Sequence, residues 1–444
     1  MGKQRALLIL HPSLGHVNAF RKVIETMKVK YELAICGAAI GVIYLKQFQV
    51  KTYLLNNMPI GTGFEKYLCS SSVNKFRCEL YMRKSMTLFH RRRKSYKEIL
   101  NEWSPSIIFI DFLYMADILF INRYLTNFSY SIYLIRTKPA LCKHRFTIPS
   151  VYRVKYINGV ISEFLWLKFN ISNIFRRCSD YIIFHGFDNI SIIHKARDIL
   201  FGSGERLISI KWMNIIGFKI NNYPELVLLP SEFEFVGYKP KNTEHYLGFQ
   251  YADHLLALDE TMSKVLRTVE ISKQNGKRVI TISFGSLYIP FEGKIIKFLN
   301  KLIEALKQFT VYHCIVLIGK INLKLPPLPD NLVFTQIDEL PIRRILEFSD
   351  LHITHGGINT IKDCIFSKTP MLVTPLNKHW DQPGNSAKVE CHGLGISVSI
   401  DISRNKLYHE LNNIFDFFNV DNFEKFIELE QTKYNITQLY DILP

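Results

Sequence analysis

Short apolar runs and helically spaced segments alternate along the second half of the chain. KRVITISFGS (277–286) is a β-branched run ending in glycine and serine, and KIIKFLNKLIEALKQF (294–309) follows with its apolar residues three and four apart. VYHCIVLIG (311–319) reads as the next strand, punctuated by LPPLPDN. NLVFTQ, the helix-like PIRRILEF, DLHITHGG, the helix-like INTIKDCIFS, PMLVTPL and SAKVECHG continue the alternation. Strands and helices joined by short links predict an α/β fold, a parallel, doubly wound sheet covered on both faces.

The first half repeats the style less regularly. RALLIL, YELAIC, VKTYLL, SIIFID, SYSIYLI and DYIIFH are candidate strands, with helical patterns between most of them. Segments 64–103 and 150–178 read as long, basic, aromatic-rich helical insertions that shape a pocket or a surface. A chain of 444 residues exceeds what one core usually holds. The expected division is an N-terminal Rossmann-like domain (1–225), a proline-marked linker (226–250), a C-terminal Rossmann-like domain (251–425) and a tail (426–444) packing back toward the N-terminal domain.

Composition narrows the class. Hydrophobic residues make up 48% of the chain, a globular proportion. No apolar stretch reaches the roughly 18 residues of a membrane span, and the opening apolar run is too short for a signal-peptide core. Eight scattered cysteines without a CxxC pair disfavour structural zinc and a disulfide framework, and predict a cytoplasmic protein. The net charge of +17 is lopsided: residues 1–230 hold 33 Lys+Arg against 14 Asp+Glu, and the remainder 23 against 25. Such a surplus predicts an anionic partner for the N-terminal half. HRRRKSYK (90–97) is the densest basic run, and with RRCSD (176–180) it suggests peripheral membrane contact. No stacking platform or zinc module accompanies it, so no nucleic acid is expected.

The candidate chemistry concentrates in THGGINTIKDCIFSKTPMLVTPLNKHWDQPGNSAKVECHGLG (354–395). A strand end, two glycines and a helix start leave backbone N–H groups and the positive end of the helix dipole facing outward, a natural phosphate seat. Gly356 and Gly357 permit close backbone approach, while His355, Asn359 and Thr360 add side-chain donors. Asp363, one turn further, suits a ribose diol. Asp381 and Gln382 follow the next strand, on the rim where α/β sheets bind ligands. In the N-terminal half, HPSLGHVNAF (11–20) offers His11 and His16 as candidate bases, and Asp111 or Asp117 as the acid that would orient one of them.

The segment 354–395 resembles the donor-binding signature of the family 1 UDP-glycosyltransferases, which have the GT-B fold: two Rossmann-like doubly wound domains facing across a cleft. SFGS (283–286) resembles the family's loop after the first C-domain strand, and PELVLLPSEFEF…YLG (224–248) the interdomain segment of bacterial members. The resemblance implies donor contacts from Gly285, Ser286, His355, Gly356, Gly357, Asn359, Thr360, Asp363, Trp380, Asp381 and Gln382. It also implies His16 of the GH-x-N turn as the base and Asp111 as its partner. The implied activity is inverting, metal-independent and cofactor-free transfer of a hexose, glucose by default, from a UDP-sugar to a hydroxyl of a small lipophilic acceptor. Four positions depart from the pattern. Glu339 and Ile342 replace the aromatic and polar residues of the W-x-P-Q element that stacks on the base, leaving uracil versus thymine open. Asp363 stands for the common Glu, and Thr360 for Ser. The rival readings are a nucleotide-sugar-binding protein without catalysis and a basic membrane- or nucleic-acid-binding protein. A same-fold epimerase is disfavoured by the GH turn.

Overall fold

The structure, a computed structural model, describes residues 3–11, 14–38, 46, 48–55, 73–124, 131–137, 143, 146–154, 156–202, 208–209, 219–220, 223–250, 260–285, 291–307, 312–318, 332–336, 342–377, 381–414 and 418–443. Strands β1 (Arg5–Ile9), β2 (Glu32–Ala38), β3 (Lys51–Leu55), β4 (Ile107–Asp111) and β5 (Ser131–Arg136) are followed by a short antiparallel pair, β6 (Ile208–Ser209) and β7 (Lys219–Ile220). Then come β8 (Glu225–Val227) and β9 (Glu244–Tyr246), and in the second half β10 (Arg278–Ser283), β11 (Tyr312–Ile318), β12 (Leu332–Gln336), β13 (Leu351–Thr354), β14 (Met371–Val373) and β15 (Gly395–Ser397). They form two parallel sheets, ordered β3-β2-β1-β4-β5-β8-β9 and β12-β11-β10-β13-β14-β15.

This topology fixes where ligands bind. In the first sheet the chain leaves β1 for β2 on one side, and β4 later pairs on the other. In the second, β10 stands between β11 and β13 in the same way. Each sheet therefore has a switch point, where connections leave in opposite directions and open a crevice at the carboxyl ends of the strands. The sequence places HPSLGH after β1, Asp111 at the end of β4, Gly285 after β10 and HGG after β13.

Both faces of the first sheet are covered, so β1 reads as uniformly apolar although its side chains alternate. Leu7 and Ile9 face the helices Thr87–Trp103 and Ile118–Tyr124. Ala6, Leu8 and Leu10 face Val17, Phe20 and Ile24 of the helix Leu14–Lys30, together with Leu439 and Leu443 near the C-terminus. Hydrogen bonds from Tyr133 Oη to the Ile442 carbonyl (3.0 Å) and from Tyr440 Oη to the Thr26 carbonyl (2.8 Å) fasten that terminal segment. A further cluster joins Val227 of the first sheet and the following Leu229 to Met371 of the second and to Ile361 and Val389 of the helices that cover it. The two sheets thus share part of their cores.

Two expectations change. DYIIFH (180–185) is not a strand: residues 180–183 end the helix Gly159–Ile183, whose start is capped by Asn158 Oδ1 accepting from Ile161 N–H (2.8 Å). Three consecutive apolar residues do not by themselves separate a strand from a helix end, and here the long helix runs through them. Segment 226–250 carries strand pairing as well as a connection. Arg136, buried at the end of β5, bonds Glu225 and Glu244 (3.1 Å each) and clamps β8 and β9 onto the sheet edge.

The basic run 90–97 does not lie wholly at the surface. Arg92 is buried, and its Nε donates to both carboxylate oxygens of Asp117 (3.0 and 2.9 Å), which also accept from Tyr96 Oη (2.7 Å). Removing one member of a buried ion pair leaves an uncompensated charge. Asp117→Ala is therefore expected to cost ~3–5 kcal/mol in urea unfolding. Glu424→Ala, which deletes the exposed partner of Lys368 (2.7 Å), should cost less than ~1 kcal/mol.

Candidate functional site

The C-terminal half of the site is built at β13. After Thr354 the chain turns through His355, Gly356 and Gly357 into the helix Ile358–Phe366, with Gly357 at its N-cap and no side chain closing the cap. The first N–H groups of that helix therefore meet the crevice with the positive dipole end behind them. Gly356 has φ +88°, and a Cβ there would lie 2.9 Å from Val373 Cγ1. The His355 ring sits between two further glycines: a Cβ on Gly285 would come within 2.6 Å of its Cε1, and one on Gly357 within 2.7 Å of its Nε2. These glycines are needed for the space they leave to the imidazole. Burial pushes the His355 pKa down to about 4, against the opposing pull of Asp381, so the ring is neutral near pH 7 and offers one N–H donor. His352 behind it is a core residue, with Thr281 Oγ1 2.8 Å from Nδ1 and Ser283 Oγ 3.2 Å from Nε2.

Asp381 precedes the helix Gln382–Cys391. The side-chain carbonyl of Gln382 accepts the backbone N–H groups of Leu376 (2.8 Å) and Asn377 (3.0 Å), so the loop after β14 is tied to it and only its amide hydrogens are left to offer. Sequence reasoning missed Asn385. Its Nδ2 donates to the Gly356 carbonyl (2.9 Å) and to Asp381 Oδ2 (3.2 Å), linking the glycine turn to the acidic residue. Its position one helical turn after Asp381 was the available signal. Asp363 is half-buried on the helix Ile358–Phe366. Burial raises its pKa to about 6, against Lys362 and Arg343.

The N-terminal half is a hydrogen-bonded dyad. Asp111 ends β4 fully buried, and its Oδ1 accepts from Leu113 N–H (3.0 Å), capping the 3-10 turn Phe112–Asp117. Its Oδ2 lies 2.7 Å from His16 Nδ1 and accepts the His11 backbone N–H at 3.3 Å. Burial alone would raise this carboxyl, but His16, its hydrogen bond, His11 and the Leu113 N–H together hold it below the usual carboxylate range. A buried carboxylate on Nδ1 fixes the ring orientation and leaves Nε2 as the basic nitrogen. His11 is held instead through its backbone, 5.2 Å from the His16 ring, and Asp117 is engaged with Arg92. Of the two histidines and two acids singled out in the sequence, the structure brings together His16 and Asp111.

Asn359 connects the halves. Its Nδ2 donates across the cleft to the carbonyl of Gly15, the residue before His16 (2.5 Å). A second bridge runs from Gly384 N–H to the Ser150 carbonyl (2.8 Å), where a Cβ on Gly384 would lie 2.9 Å from Ser150 Cα. Ser286, Glu339 and Trp380 lie outside the described residues.

The raised carboxyl of Asp363 gives a sign-defined test. A carboxyl whose pKa rises from 3.8 to about 6 on folding binds protons more tightly in the native state, so it subtracts stability above pH 6 and nothing below the unfolded value. Asp363→Asn is expected to raise the unfolding free energy by ~1–2 kcal/mol at pH 8, a gain that fades toward pH 4 in denaturant titrations.

Residues 312–438 match the family model "Glycosyltransferase family 28 C-terminal domain". The chain is 33% identical over 132 residues to an uncharacterized UDP-glucosyltransferase, YdhE, of Bacillus subtilis, covering 30% of this chain and 31% of the relative. It is 32% identical over 96 residues to a zeaxanthin glucosyltransferase of Pantoea ananas, covering 19% and 22%. The matched segments thus span less than a third of these relatives' lengths. Over the whole chain, the fold is similar to that of the calicheamicin glycosyltransferase CalG4, with a TM-score of 0.64, 15% identity, and coverage of 99% and 98%. The two parallel sheets have the GT-B fold of this glycosyltransferase structure, and residues 312–438 are similar to a glycosyltransferase C-terminal domain.

Proposed function

We propose that the protein transfers a hexose, glucose by default, from a UDP-sugar to a hydroxyl of a small lipophilic acceptor with inversion at the anomeric carbon. The carrying observation is the His16–Asp111 pair held against the uncapped helix start by the Asn359–Gly15 bond. His16 Nε2 takes the acceptor proton while the acceptor oxygen bonds the anomeric carbon. The bond from that carbon to the diphosphate breaks, and its electron pair leaves with the diphosphate. Negative charge then develops beside the N–H groups of the helix Ile358–Phe366 and His355, which supply stabilisation without reorganising.

The remaining roles are those that the sequence resemblance implies. Asp363 accepts from the ribose hydroxyls, Asp381 and Gln382 bind the sugar, and Thr360, Gly285, Ser286 and Trp380 complete the donor surface. The names of YdhE and the zeaxanthin enzyme support a glucose donor, and the latter supports an apolar acceptor. Asn385 is a positioning residue, acting through Asp381 and the glycine turn.

The reading is tested by thermal shift with UDP, dTDP, GDP and CDP, followed by donor hydrolysis and transfer assays in EDTA. UDP and UDP-glucose should stabilise the protein, and turnover should persist in EDTA. His16→Ala is expected to lower kcat by ~10²–10⁴-fold while the UDP-induced shift survives. Full turnover in that variant would remove His16 from the chemistry. Full turnover after replacing both His355 and Asp381 with Ala would overturn the donor site itself.

A further inference from the structure

The helix Gly159–Ile183 has two apolar faces, and only one is packed. Ser162, Leu165, Trp166 and Phe169 are buried, with Ser162 Oγ and Trp166 Nε1 both donating to the Thr147 carbonyl (2.7 and 2.9 Å). The helix is therefore fixed in place. Val160, Phe164, Leu167, Ile171, Phe175 and Ile182 point away, each between 48% and 79% exposed. At 3.6 residues per turn these six fall within an arc of ~80° and form a stripe ~33 Å long. Single exposed apolar residues are ordinary, but a continuous stripe of this length marks a surface that meets something.

We propose that this face docks on an anionic lipid bilayer, lying in its surface plane. The charge of the surrounding half selects the partner. Residues 1–230 carry 33 Lys+Arg against 14 Asp+Glu, and Lys168 flanks the stripe at the surface. Pairing two copies of the helix would bring two such positive halves together, whereas an anionic bilayer attracts them at ~1 kcal/mol per cation near its surface. Tyr156 (74% exposed) and Tyr181 (57% exposed) stand toward the two ends of the stripe, the amphipathic side chains that sit at headgroup level. No helix among the described residues is long and apolar enough to cross a membrane, so this one would lie at the interface, its other face on protein.

The location gives the docking a use. Leu165 packs with Ile148 and Ala387, and Ala387 belongs to the helix that Asp381 and Gln382 open. The bilayer-facing helix thus packs on the helix that opens at the proposed sugar site. The docking itself does not depend on the transfer reaction.

Co-sedimentation of the full chain with phosphatidylcholine vesicles, with and without about 30% phosphatidylserine, tests the proposal. Binding is expected only to the anionic vesicles, weakening as NaCl rises from ~0.1 to ~0.5 M. The triple variant Phe164→Ser, Phe175→Ser, Ile182→Ser alters exposed positions only. It should keep the wild-type melting temperature and lose at least about tenfold in vesicle partitioning. F164W provides a readout that preserves the apolar face: its added fluorescence should be quenched by brominated acyl chains. Wild-type protein left in the supernatant, a triple variant that binds like wild type, or an F164W signal untouched by the bromines would each overturn the proposal. A wild-type dimer that the triple variant makes monomeric, without vesicle binding, would assign the face to a second copy instead.

Discussion

Catalysis between two sheets requires that their crevices be held in register, and the hydrogen bond from Asn359 to the Gly15 carbonyl is the contact that does this most directly. Asn359 stands in the first turn of the helix after HGG, and Gly15 is the residue before His16. One side chain therefore ties the proposed phosphate seat to the proposed base. The same placement explains the environment of each partner. Asp111 is buried where it orients His16, and His16, His11 and the Leu113 N–H offset the effect of that burial on its carboxyl. His355 must be neutral beside a cleft that also carries Asp381, and its enclosure between Gly285 and Gly357 achieves that.

Much of this arrangement was legible in the sequence where local pattern and chemistry coincide. The strands of the second half carry β-branched runs bounded by glycine or proline, and β10 to β14 fall where those runs lie. The HGG turn is legible because an acidic residue eight positions after its His, and the Asp381–Gln382 pair eighteen beyond that acid, accompany it in a strand–helix frame. The His16–Asp111 pairing was accessible as a choice among four residues. Chain pattern alone did not decide it, because the choice depends on the adjacency of β1 and β4, strands about a hundred residues apart.

The illegible parts share a cause: they are set by partners distant in sequence. Nothing local marks Arg92 as the one arginine of its run that turns inward, since its partner Asp117 lies on another element. DYIIFH has the composition of a strand and becomes a helix end because a cap some twenty residues earlier starts a helix that packs through Leu165 and Trp166. Asn385 looks like an ordinary helix residue until the Gly356 carbonyl is brought against it. Asn359 presents itself as a phosphate donor, and its bond to Gly15 is visible only once the two sheets meet.

The occupancy of Gln382 bears on which sugars the site would tell apart. With its carbonyl oxygen engaged by Leu376 and Asn377, this side chain is a pure giver of protons, while the neighbouring carboxylate of Asp381 is a pure taker. In the proposed complex a pair of adjacent hydroxyls would be read with opposite polarity, one as acceptor and one as donor. A deoxygenated hexose would strand one of these enclosed groups without a counterpart, and sites that leave a polar group unpaired reject the defective ligand far more strongly than sites that merely lose contact area.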